Sequence, residues 1–293
     1  MKRMTVLTAA LLVAATGFSQ KDSTRSAPDT IRAGNFVIVK KNKDNNNVSD
    51  NRERKNYTLN LNFAPRASKI RRSSNNVSTN WLIFDLGFTN FRDNTNYTAA
   101  QSSGYLKVLR PANGAVTQNS MALNTGKSSN ANIWLFMQKL NVIKHVVNLK
   151  YGLGLEMYNF RYDHSLSYRK DPTPFIFNDS ISFSKNKLYV GYVTVPFMLN
   201  INTTPHKHNG FSFSGGVSAG YLVGSHDKQI SDQRGKQKVY SDFNLQPWRL
   251  AAIGELGLGP IRIYGSYSFN ALHNESTGLV QYPYAIGLRF SNW

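Results

Sequence analysis

Glu156 and Glu255 are the residues of this 293-residue chain whose types most invite a chemical reading. Two carboxylates held close together could divide general acid and general base work. Both, however, sit in stretches that alternate apolar and polar residues, YGLGLE (151–156) and GELGLG (254–259). They share the polar side with Lys150, Arg249 and Arg262, which makes ion-paired scaffold the favoured reading over catalysis. The same stretches mimic glycine-rich nucleotide loops. Such loops belong between a strand and a helix, whereas these glycines recur at every second residue within strands and read as small interior or turn residues. His206 and His208, in TTPHKHN, are spaced to bind Zn²⁺ if a third ligand approached. None is evident, and a solvated turn is favoured. His145, His164, His226 and His273 are isolated. No Ser-His-Asp spacing is recognisable. We therefore assign no catalytic, metal-binding or cofactor-binding residue, and expect no cofactor and no enzymatic activity.

The element that positions these residues is a period of two, which is that of a strand. In VVNLKYGLGLEMYNFRY, Val147, Leu149, Tyr151, Leu153, Leu155 and Met157 share one face, and Asn148, Lys150, Gly152, Gly154 and Glu156 the other. Helical spacing would mix the two sets. Eight such strands are expected, at about 80–92, 131–140, 146–162, 186–202, 210–224, 247–258, 260–272 and 281–292. Their polar faces carry Asp85, Lys150, Glu156, Arg249, Glu255, Arg262 and Arg289. Connections alternate between long loops and short turns, which is the pattern of an up-and-down barrel crossing an outer membrane. The expected fold is all-β: an eight-stranded antiparallel up-and-down transmembrane β-barrel with a basic, mostly irregular N-terminal segment.

The N-terminus agrees with export. MKRMTVLTAALLVAATGFSQ has a basic start, a short apolar run and small residues before GFSQ. We read residues 1–20 as a signal peptide, 21–79 as a basic periplasmic segment and 80–293 as the barrel. Segment 21–79 holds 13 Lys/Arg and 5 Asp/Glu, a net of +8 out of the chain's +19. Its Asn, Ser and Lys content disfavours a packed core, although Tyr57, Leu59, Leu61 and Phe63 alternate as a short strand would. It is expected either to attract acidic lipid or protein or to act as a solvated tether. Given export, the basic balance does not indicate nucleic acid. The chain has no cysteine, so disulfides and thiolate sites are excluded. No later run is long and apolar enough for a membrane helix, which leaves a barrel as the route across.

In a membrane barrel the apolar face meets lipid and the polar face lines the interior. Four cations and three anions inside eight strands should pair and fill the interior, with glycines such as Gly87, Gly154 and Gly257 leaving room for the long side chains. The closing QYPYAIGLRFSNW carries Tyr284, Ile286, Leu288 and Phe290 on one face. With the terminal Trp293 these form the expected signal read by the barrel-insertion machinery. The aromatics of GYLVG, YPY and MYNFRY are expected in girdles at the strand ends. The first long loop, NYTAAQSSGYLKVLRPANGAV, carries Tyr97, Tyr105, Leu106, Val108 and Leu109. It is more apolar than a solvated loop requires, so it either folds over the barrel mouth or binds a partner.

The segments STNWLIFDLGFTNF, VNLKYGLGLEMYNFRY, YVTVPFMLNIN and YAIGLRF, with the signal peptide ending in SQ, resemble the PorT-like outer-membrane β-barrel proteins of Bacteroidetes over about 80–290. The long–short alternation and the even strand count lead us to expect both termini and the short turns on the periplasmic side and the long loops outside, and the resemblance implies the same outer-membrane architecture. It implies outer-membrane lipid, the insertion machinery and envelope or secretion proteins as partners, with no nucleic acid. A scaffold role supporting secretion or envelope organisation is the leading expectation. The alternatives are a lipid- or peptide-modifying barrel enzyme and a narrow passive channel.

Overall fold

The computed structural model describes residues 76–203, 210–258 and 261–291, together with the backbone of two short strands, β1 (Thr30–Ala33) and β2 (Phe36–Val39). The signal peptide, the Tyr57–Phe63 strand, His206, His208, the Gly259–Pro260 turn and Trp293 lie outside the described residues. Two compact units divide the chain, Met1–Arg72 and Ser73–Trp293. In the first, β1 and β2 pair antiparallel.

The second unit contains β3 (Val77–Asp93), β4 (Ser129–Ile143), β5 (Val147–Arg161), β6 (Leu166–Arg169), β7 (Phe175–Asn178), β8 (Lys185–Asn202), β9 (Phe211–Ser231), β10 (Gly235–Tyr240), β11 (Trp248–Leu258), β12 (Ile261–Ser268) and β13 (Gln281–Phe290). Eight of these form a closed antiparallel ring, β3-β4-β5-β8-β9-β11-β12-β13, with β13 pairing back onto β3. Closure satisfies the strand edges that lipid could not. β6–β7 and β10 lie in the long connections.

The side chains are sorted opposite to those of a water-soluble protein. Leu82, Phe84, Leu86, Phe88, Phe197, Leu199, Leu250, Leu256, Ile263 and Ile286 are exposed on the outside, while Asp85, Lys150, Glu156 and Glu255 are buried inside. Burying one large apolar side chain is worth roughly 1.5–3 kcal/mol. A whole belt of them left facing water would be a severe cost, and lipid removes it.

Strand ends depart from the expected bounds in several places, β4 among them, which runs from Ser129 to Ile143 rather than over 131–140. β3 starts at Val77, inside the stretch assigned to the basic segment. β12 stops at Ser268 rather than 272, because the chain turns inward and buries Leu272. β9 runs on to Ser231 rather than 224. Its Phe211–Tyr221 part pairs with β11, and its His226–Ser231 part pairs with β10. The extension reads SHDKQIS, without apolar alternation, because it rises beyond the apolar belt.

Parity itself changes in β4. Trp134 pairs with Gly154 and Phe136 with Leu153, so Leu135 is an extra residue, a β-bulge. Opposite it, Leu82 of β3 adopts the left-handed region at φ 54°. Below this point Asn80 and Met137 turn inward; above it Ile83 and Trp134 do. Gly154 permits the fit, since a Cβ there would lie 2.6 Å from the Trp134 ring.

Candidate functional site: a charged interior beneath a loop cap

The barrel interior has two layers. The layer nearer the short turns is ionic. Glu255, on β11, accepts from Lys150 Nζ on β5 at 2.8 and 2.9 Å, from Arg262 Nη1 on β12 at 2.8 Å and from Arg289 Nη1 on β13 at 2.8 Å. Arg289 also donates from Nε and Nη2 to Asp85 of β3, both at 2.8 Å. Asp85 additionally accepts from Trp134 Nε1 at 2.7 Å and Asn132 Nδ2 at 3.1 Å. Five of the seven charges assigned from parity thus form one network spanning five strands.

The other two form a separate pair. Arg249 Nη1 donates to Glu156 at 2.7 Å, and its remaining donors reach Ser268 at 2.9 Å and Ser266 at 3.3 Å. Thr194 also donates to Glu156. A cavity of about 10 Å³, lined by Asn132, Trp134, Glu156, Tyr264, Ser266 and Arg289, lies at this level. That is the size of a single water, and Asn132 Oδ1 beside it lacks a protein partner. Such full pairing is what allows charges to be buried. Gly257 makes room: a Cβ there would lie 2.5 Å from Arg262 Nη1.

The pairing partners Trp134, Asn132, Thr194, Ser266, Ser268 and Ser291, the last accepting from Arg262 Nε at 2.9 Å, were not distinguished by sequence reasoning, because a neutral inward residue carries no charge to mark it. Lys139 was missed for a different reason. The Leu135 bulge places it on the same side as Met137, whereas unbroken alternation from Asn132 would point it outward.

The second layer is apolar and belongs to the loops. Tyr105, Leu106, Val116, Met121 and Leu123 from the first long connection meet Leu166, Tyr168 and Ile176 from the second, Phe243 and Leu245 from the third, and Leu272 and Leu279 from the fourth. Tyr105 donates to the Phe243 carbonyl at 2.5 Å, and Leu106 pairs with Ile176 in a parallel bridge. The first loop therefore folds over the barrel mouth, while Val108 and Leu109 stay exposed on it. A short helix, α1 (Tyr97–Gln101), is capped by Asn96, and Tyr97 donates to Asp93 at 2.5 Å.

MYNFRY does not form a girdle. Tyr158, Phe160 and Tyr162 are all buried in this cap. Even positions of β5 face inward, and above the charged layer the interior is filled by loops instead of water. By contrast, Tyr221 of GYLVG is exposed and stands against exposed Trp248 at 5.0 Å, as a girdle residue should. Tyr284, Ile286, Leu288 and Phe290 are exposed on the outer face of β13.

Two titratable groups are sealed in the upper part. His273 is buried against Tyr105 and Tyr168, and neither ring nitrogen has a partner. Burial pushes its pKa down to about 3. Burial likewise pushes the Asp227 carboxyl up to about 7. Among the described residues, no group of three His, Cys, Asp or Glu is arranged to hold a metal.

A closed eight-stranded sheet with an apolar outside and an ion-paired inside defines an integral membrane β-barrel. The chain belongs to the outer membrane protein beta-barrel domain family, whose model matches residues 18–276. Comparison with curated proteins gave no match.

Proposed function

We propose that the protein is a non-enzymatic scaffold of the outer membrane, presenting its loop cap to other envelope proteins. The observation that carries this reading is the filling of the barrel from both ends. The Lys150–Glu255–Arg289–Asp85 network occupies one level, and the Tyr105–Phe243–Ile176 core closes the other. An interior so filled favours a solid anchor over a conduit. Exposed Val108 and Leu109 on the cap are apolar contacts that a partner could use. The PorT-like resemblance adds protein secretion or envelope organisation as the setting. The alternation of short turns and long loops supports the orientation, with termini and short turns periplasmic and the cap extracellular. Tyr284, Ile286, Leu288 and Phe290 are the residues we assign to recognition by the insertion machinery.

Photo-crosslinking from positions 108 and 109 in intact cells tests the reading. A discrete envelope-protein adduct from either position, absent when the other residue is changed to Ser, supports it. Adducts to lipid alone, together with turnover of a lipid or peptide substrate by the purified barrel, overturn it in favour of an enzyme.

A further inference from the structure

Above the apolar belt, the outer face of β5, β8, β9 and β10 carries a row of cations. Arg161 pairs in register with Lys187, Lys187 with Lys228, and Lys228 with Lys238. Lys185 and Lys236 flank the row, each opposite Ile230. Strands lie about 4.8 Å apart, so four neighbouring cations span roughly 15 Å. Like charges directly opposite each other destabilise a sheet. Among the described residues, none of these six cations forms an ion pair with a carboxylate.

The local electrostatics reflect this. Burial, then Lys185, Lys228, Lys238 and Arg161, push Lys187 down to about 8. Burial, then Lys238, Lys187 and Lys228, push neighbouring His226 down to about 4. The charges that shift both groups are all cations.

The row continues the lipid-facing surface. Descending the outer face of β8 from Lys187, the residues are Tyr189, Gly191, Val193, then exposed Val195, Phe197 and Leu199. On β9, Lys228 and His226 stand above exposed Val223, Tyr221 and Val217. Between the cations and the aliphatic belt lies an aromatic row, with Tyr189 stacked on His226 at 4.7 Å and His226 against Tyr240 at 5.3 Å. Lys238 Nζ sits 4.6 Å from the Tyr240 ring centre. Aliphatic, aromatic and cationic rows in that order match hydrocarbon, interface and head-group phosphate. Lys187 is two residues, about 7 Å of strand, beyond Tyr189.

We infer that this row is a binding site for the phosphate groups of a membrane lipid, and that a glycolipid head group carrying two phosphates suits it best. A single phosphate would engage only part of a row roughly 15 Å long, whereas two phosphates on one head group can each meet two cations. The inference does not depend on the scaffold role. It needs only that the apolar belt lies in lipid.

The full-length barrel in detergent is titrated with a diphosphorylated disaccharide glycolipid, with the same lipid enzymatically dephosphorylated, and with inorganic phosphate, and bound lipid is counted by native mass spectrometry. The diphosphorylated lipid should bind at least tenfold more tightly than its dephosphorylated form, and inorganic phosphate at millimolar concentration should not compete. The Lys187→Gln/Lys228→Gln/Lys238→Gln variant should lose that tenfold preference, whereas Lys127→Gln/Lys170→Gln should keep it. Equal binding of both lipids, full competition by inorganic phosphate or an unchanged triple variant would each overturn the inference. If the triple variant lacks the mobility shift of a folded barrel on unboiled gels, salt decides with the unaltered protein. Raising ionic strength must weaken the diphosphorylated lipid and spare the dephosphorylated one; equal salt responses would overturn it.

Discussion

Arg289 grips Asp85 with two parallel hydrogen bonds of 2.8 Å, from Nε and Nη2, across the seam where the last strand meets the first. The residues face each other in register, 204 positions apart in the chain. The pair fastens from inside the β13–β3 seam that joins the two ends of the barrel sequence into a ring.

Removing Arg289 leaves the Asp85 carboxylate buried without its cation, so Arg289→Met should destabilise the barrel by about 3–5 kcal/mol. Asp85→Asn should cost less, because Arg289 still pairs with Glu255. Asp85→Leu combined with Arg289→Met should cost less than the two single changes added together, since neither charge is then stranded. The readout is urea unfolding in detergent micelles, followed by tryptophan fluorescence. Additive losses would show that the pair is not coupled.

Glu255 serves three cations, Lys150, Arg262 and Arg289. Glu255→Gln should be the most damaging single change in the interior, exceeding Glu156→Gln, which strands only Arg249. The temperature at which the unboiled gel band converts to the slow form should fall further for Glu255→Gln. The reverse order would contradict the network as described.

The cap should contain two opposed pH responses. Asp227 has a folded pKa of about 7, above the unfolded value of roughly 3.9. Its contribution is complete below about pH 4 and is lost as pH rises toward 7. His273 has a folded pKa of about 3, below the unfolded value of roughly 6.5. Its contribution is complete above about pH 6.5 and is lost as pH falls toward 3, and His226 on the outer face adds a response of the same sign. The slopes oppose each other between about pH 4 and 6.5. Asp227→Asn should leave cap protection that rises with pH across that window. His273→Phe should tilt it toward protection that falls with pH. Deuterium uptake at Tyr105 and Leu106 measures both, and identical slopes in the two variants would refute the assignment.

In planar bilayers the unaltered protein should give no steady conductance. A variant lacking residues 97–123 should stay silent as well, because the Glu255 network fills the barrel beneath the cap independently of that loop. Steady currents from the unaltered protein would defeat the filled interior; currents from the loop deletion alone would place the seal in the loop instead of in the charges.

The amino-acid sequence carried the barrel openly. Eight alternating segments, with long and short connections in turn, name their own inward and outward faces, because a strand's side chains can only alternate. That rule alone put Asp85, Lys150, Glu156, Arg249, Glu255, Arg262 and Arg289 on the interior face. It could not say who pairs with whom, since register between distant strands decides that Glu255 receives three cations and Glu156 only one. Nor could it find Lys139, because the Leu135 bulge breaks the count, and a bulge is paid out in backbone pairing without any residue type to announce it. The cap was equally hidden. Tyr105 and Phe243 are 138 positions apart, and nothing local distinguishes an aromatic loop residue that folds inward from one that reaches out. The cation row Arg161, Lys187, Lys228 and Lys238 comes from four separate segments. Only the lateral pairing of β5, β8, β9 and β10 turns scattered lysines into one surface, because charge acts through space and sequence distance does not measure it.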